Sequence, residues 1–174
     1  MPGFVIHLAV AYEYLEKHKN EIVNKENFFE GILAPDFYSN KMESHYGNYS
    51  TTHIGLIKFF DIGDIDINTD FGKGYLLHLI TDEAFYNNYF LEETIYARNN
   101  NMKYYNDYDC LNEDLIKIFN INYIPEKAKE CINFKNEIPN ILELDKVINF
   151  IKDISIISLK EQIESIKSNN TVLI

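Results

Sequence analysis

The chain has no tryptophan, only two cysteines and no run of five or more basic residues. Each shortage narrows the field. Cys110 and Cys131 stand 21 positions apart without a partner motif, and they read as a reduced pair with no bridge. A formal net charge of -11 with a pI near 4.8 argues against electrostatic binding of nucleic acid or an anionic membrane. No apolar run reaches the ~20 residues that a membrane helix needs. The first residues, Met1–Pro2–Gly3–Phe4, lack the basic start of a secretory leader, and the first charged residue is Glu13. The expectation is a cytoplasmic protein without stable membrane association. There is no repeat, low-complexity tract or linker, so residues 1–174 are expected to form one domain.

What is present is ordinary globular material: 46% hydrophobic and 25% charged residues. Apolar positions recur at helical spacing, and the one strand-like segment, Ile154–Leu159, is assigned to helix by the periodicity that flanks it. Phe4 to His18 forms an amphipathic helix behind Pro2, with His7 facing inward and His18 at a solvated end. Asn27 to Ala34 is a short apolar helix or turn that stops at Pro35–Asp36. Residues 37–53 are polar, aromatic and loop-like, and Gly55–Phe60 is a short helix. The acidic loop 61–72 lacks the glycine and closing glutamate of a calcium loop. A central helix runs from about Gly72 toward Arg98, and Tyr104–Asp109 is a turn. Leu111–Phe119 is helical, Pro125 opens another helix, and a last long helix spans about Ile141 to Ser168. The expected fold is all-α, a multi-helix bundle of roughly five to seven helices.

The central helix carries the chemistry. Leu76, Leu77, Leu79, Ile80, Ala84 and Phe85 leave it little solvated face, and a helix apolar all round is normally buried. Yet His78 and Asp82 sit within it, four residues apart and so on one face. A buried aspartate is costly unless it is paired or bound to a metal. The pair alone fits two accounts, a hydrogen-bonded pair that orients helices or two ligands of one cation. Other residues add weight to the second. His7 faces inward, Asp36 follows Pro35, and His45 and His53 lie in the next loop. Three imidazoles and two carboxylates suit a zinc or other transition-metal site. Asp107 and Asp109 are read as solvated turn acids, with a place near the substrate as the alternative.

The order of an inward His on the first helix, Gly31-x-x-Ala34-Pro35-Asp36, Ser44-His45-Tyr46, and Gly74-Tyr75-Leu76-x-His78-Leu79-x-x-Asp82 resembles the zinc-dependent phospholipase C family. The likeness is to its short bacterial members without a leader. It covers about residues 2 to 90, with a weaker echo over Tyr105–Asn112. It implies an all-α bundle of the phospholipase C/nuclease type that hydrolyses phosphate esters. Asp36, His45, His78 and Asp82 would hold one zinc, and Asp82 would bridge to a second held by His7. Asp82 and Asp36 would be the catalytic carboxylates, with His53 an alternative to His45 or its neighbour. No histidine follows His78 and no tryptophan exists, so the third metal and the tryptophan amine of the secreted enzymes have no counterpart. The expected substrate is a small phosphoester or a phospholipid head group, and the oligomeric state stays open. Two alternatives remain: a non-catalytic helical protein with a residual structural metal, or a phosphohydrolase of the HD type. The absence of a His-Asp dipeptide counts against the latter.

Overall fold

The computed structural model describes residues 3–47 and 54–174. Pro2 and His53 lie outside the described residues. Ten α-helices and one π-helical turn account for the regular structure, and no strand occurs among the described residues. The order is α1 (Phe4–Lys17), α2 (Lys25–Phe37), α3 (Lys41–Ser44), α4 (Leu56–Ile62), α5 (Asp70–Ala84), the π turn Phe85–Tyr89, α6 (Leu91–Asn99), α7 (Tyr105–Ile118), α8 (Glu126–Lys129), α9 (Leu144–Ile154) and α10 (Leu159–Asn169). No helix among the described residues is long and apolar enough to cross a membrane.

Helix α5 is the axis of the bundle. Eleven of its fifteen residues are buried, including His78 and Asp82. Its start is fixed by Thr69, whose side chain accepts a hydrogen bond from the Gly72 amide at 3.0 Å. Helix α2 lies directly against it. A Cβ added to Gly74 would stand 2.2 Å from the Phe28 carbonyl oxygen, and one added to Gly31 would stand 2.0 Å from that of Phe71. Only glycine lets the two backbones approach this closely. The start of α2 is tied to α5 as well, because Asp70 Oδ2 accepts from the Val23 and Asn24 amides at 3.1 and 2.7 Å. Helix α1 packs on both, with Val5 to Ala11 buried without a break. These contacts place one face of each of α1, α2 and α5 around a common point.

Several local expectations change. Helix α2 continues through Pro35 to Phe37 instead of stopping before it. A proline in the last turn costs only the one bond to the Gly31 carbonyl, and burial of Phe28, Ile32 and Leu33 outweighs that. The loop 37–53 contains the four-residue α3. The segment 104–109 belongs mostly to α7. Helix α8 ends at Lys129, before Cys131 and Ile132. The central helix is interrupted by the π turn, where the Phe90 amide bonds to the Phe85 carbonyl at 2.9 Å and the two buried rings stack at 4.3 Å. The long C-terminal helix is two helices. Ser155 turns its hydroxyl back to the Ile151 carbonyl at 2.6 Å, and Ser158 with Glu161 forms a capping box that starts α10.

His18 is not a solvated end. Its ring is largely buried, with Nε2 3.1 Å from the Ser155 carbonyl oxygen and Nδ1 3.5 Å from Glu21. Asp107 is not a turn acid either. It is fully buried, and its carboxylate accepts from the amides of Asn140, Ile141 and Leu142 at 2.7 to 2.9 Å. Both cysteines are free, Cys110 buried and Cys131 exposed.

Candidate metal centre

Each helix delivers its residue to the common point for a local reason. On α1, a continuously buried stretch carries His7 inward. On α2, continuation through Pro35 sets Asp36 on the last turn, facing α1 and α3. Helix α3 ends at Ser44 with His45 as its cap, and the Tyr46 that follows adopts the left-handed backbone region. On α5, the i,i+4 spacing puts His78 and Asp82 on one face.

The five side chains meet. His7 Nε2 lies 3.2 Å from Asp82 Oδ1 and 3.9 Å from Asp36 Oδ2. His45 Nε2 lies 3.2 Å from Asp82 Oδ2 and 3.8 Å from Asp36 Oδ1. His78 Nε2 lies 3.7 Å from Asp82 Oδ2 and 3.1 Å from His45 Nε2. The His7 and His78 rings stack at 3.9 Å. The donor atoms fall into two overlapping groups, His7–Asp36–His78 and His45–His78–Asp82, each with its atoms within 4.8 Å of one another. None of the five side chains is more than 6% exposed.

The outward nitrogens fix which ring atoms are free. His78 Nδ1 sits 2.7 Å from the Ile32 carbonyl oxygen, which can only accept, so that nitrogen carries the proton. His45 Nδ1 stands 3.0 Å from the Lys41 carbonyl and 2.9 Å from the Ser44 hydroxyl. With its Nδ1 protonated, His78 turns the lone pair of Nε2 toward His45 Nε2 at 3.1 Å, and the tautomer of His45 decides whether that contact is a hydrogen bond or a pair of facing lone pairs. Burial, reinforced by neighbouring His7, pushes the His78 imidazole down to about 3, so it is neutral at pH 7. Burial alone would raise Asp82, but the imidazoles of His78, His45 and His7 outweigh it and hold the carboxyl well below its usual range.

This donor set fits a cation. His7 Nδ1 and Nε2 and both Asp82 oxygens are buried, and none makes a well-formed hydrogen bond. An orphaned buried polar group is costly, and an orphaned carboxylate more so. Ring nitrogens and a carboxylate converging on one point are relieved by a proton or a cation between them, and the unpartnered His7 and Asp82 atoms suit a cation. Two nitrogens ligating one zinc at ~2.0–2.1 Å stand about 3.3 Å apart at a tetrahedral angle, close to the spacing seen here. Carbonyl partners behind His45 and His78 are the usual support for metal-ligating imidazoles. Asp82 also divides its oxygens, Oδ1 toward His7 and Oδ2 toward His45 and His78.

Beside the cluster lies a cavity of about 410 Å³, lined by Phe4, Asp36, Lys41, Tyr105, Tyr108 and Asp109 among others. Asp36 is the cluster residue that reaches it. Lys41 and Tyr108 were not candidates from sequence. Lys41 sits in a polar stretch with no distinguishing pattern, and Tyr108 lies within the weaker echo of the family motif. Tyr108 is buried, with its hydroxyl 3.3 Å from that of Tyr86. Burial, then neighbouring Tyr104 and Asp82, raises its phenol far above the ordinary value, so it stays protonated. Asp109 is on the cavity wall, whereas Asp107 points away to the loop 140–142. No protein-family model, characterised protein or solved structure matches the chain.

Proposed function

We propose that the chain is a metal-dependent hydrolase of phosphate esters, with zinc bound by His7, Asp36, His45, His78 and Asp82. One observation carries the proposal: the His45 and His78 nitrogens face each other at 3.1 Å beside an Asp82 carboxylate with no hydrogen-bond partner. One or two ions fit this set, with Asp82 offering one oxygen to each side. Bound zinc would bring the pKa of a water toward neutrality and offset charge on phosphoryl oxygens. The protein's own groups supply the rest. Ile32 and Lys41 carbonyls hold two imidazoles in their donor orientation. Asp36, at the cavity wall, is placed to accept a proton from an attacking water. Tyr108, protonated, can donate to a substrate oxygen. A cavity of about 410 Å³ suits a small phosphoester or a lipid head group.

The test is turnover. Zinc-loaded protein should hydrolyse members of a panel of chromogenic phosphomonoesters and diesters, and Asp82→Asn should abolish both zinc binding and turnover. Zinc bound with no turnover on any member would refute the enzymatic proposal. It would favour a second account, a structural metal in a non-catalytic helical protein, which the near-complete burial of the five side chains also supports.

A further inference from the structure

The cavity beside the cluster has a polarity of its own. Among the described residues that line it, Lys41 is the one cation, and it stands at the end where Asp36 enters. Its ammonium donates to the Asp36 main-chain carbonyl and lies 3.4 Å from Asp36 Oδ1. The side chain is 38% exposed. The ammonium is the accessible end of this pair, while the Asp36 carboxylate is buried among the cluster histidines, so it is the ammonium that has room to turn toward the cavity. The main chain of Lys41 has a separate task, since its carbonyl faces His45 Nδ1 at 3.0 Å. Altering the side chain therefore leaves that support in place. The whole molecule carries -11, and an anion entering the cavity needs a local positive charge.

We propose that Lys41 binds the phosphate of the substrate, its ammonium exchanging the Asp36 carboxylate for phosphoryl oxygens in the cavity. The proposal rests on the function proposed above and names the side chain that recognises the anion. A cation held by Asp36 would offset the carboxylate's charge and so loosen its hold on the Lys41 ammonium, which borders the cavity. An ammonium on a flexible stem suits this exchange better than a fixed group.

The experiment is calorimetric titration of inorganic phosphate into zinc-loaded full-length protein, freed of excess zinc, as wild type, Lys41→Ala and Lys41→Arg. Removing one charge-assisted contact should weaken phosphate binding about tenfold or more in Lys41→Ala. Lys41→Arg should restore it to within about threefold, and zinc content should be equal in all three. On a chromogenic phosphomonoester, Lys41→Ala should raise KM with a smaller effect on kcat. Equal phosphate affinity in wild type and Lys41→Ala, with zinc bound in both, overturns the proposal and leaves the metal centre standing. Loss of zinc from Lys41→Ala also overturns it, because Lys41 would then be part of the scaffold. Wild type that takes up no zinc defeats the function proposed above, and the Lys41 proposal falls with it.

Discussion

Replacing Asp107 with asparagine tests how the second half of the chain is held to the first. The fully buried carboxylate accepts from three amides in a loop more than thirty residues away, Asn140 at 2.9 Å on Oδ1 and Ile141 and Leu142 at 2.7 and 2.9 Å on Oδ2, with Asn140 Nδ2 at 3.3 Å as a fourth donor. Asparagine keeps one acceptor and sets an amino group against the other pair of N–H groups. A hydrogen bond to a charged group contributes about 1.5–3 kcal/mol, and two would be lost. Water can recover part of this at Ile141, which is half-buried, but not at buried Leu142. The expected loss is about 2–4 kcal/mol against a total of roughly 5–15 kcal/mol for a domain. Urea unfolding followed by circular dichroism reads it directly. Zinc binding should survive, because Asp107 points away from the cluster. A loss under about 0.5 kcal/mol would refute the anchoring role.

Two further substitutions follow from the packing. Gly74→Ala should destabilise by about 2–3 kcal/mol, since its Cβ would stand 2.2 Å from the Phe28 carbonyl oxygen. It should weaken zinc binding in parallel by disturbing the His78–Ile32 bond, and chelator competition beside urea unfolding checks both. Asp70→Asn should cost about 1–2 kcal/mol at pH 7, and only there and above the acid range. Burial alone would raise Asp70, but the Asn24 amide, Lys73 and the Val23 amide together hold it below its ordinary value. Its contribution is therefore complete above the unfolded pKa of about 4 and disappears as pH falls through the lower folded value. Unfolding curves of the two proteins should converge below that range, and a gap that persists there would contradict the assignment.

The parts legible in the sequence were those set by local period. The i,i+4 placement of His78 and Asp82 in an apolar helix marked both the axis of the bundle and two of the five side chains that meet there. The inward face of α1 was readable in the same way, and so was the all-α class: seven of the ten α-helices have nine or more residues. What was hidden depends on distant partners. Asp107 finds its donors in the loop 140–142, and no periodicity connects them. The Lys41 ammonium meets Asp36 because α2 runs through Pro35 and sets Asp36 beside it. His18 is half-buried because Ser155 lies against it. The break between α9 and α10 did have a local mark, the Ser158-x-x-Glu161 capping pattern, but the apolar period runs across it and masks it. The π turn has no signature in Phe85–Tyr89 that composition alone would reveal.

Metal content is the most direct test of the central claim. Protein purified without chelator, or stripped and then given zinc, should carry one to two equivalents by elemental analysis. At a thousandfold excess over Kd a bound ion adds about 4 kcal/mol to stability, which for a chain of this size raises Tm by roughly 8–16 °C. Asp82→Asn should bind none and show no shift. Wild type that neither retains nor gains zinc, and whose Tm ignores it, would contradict the account at its root.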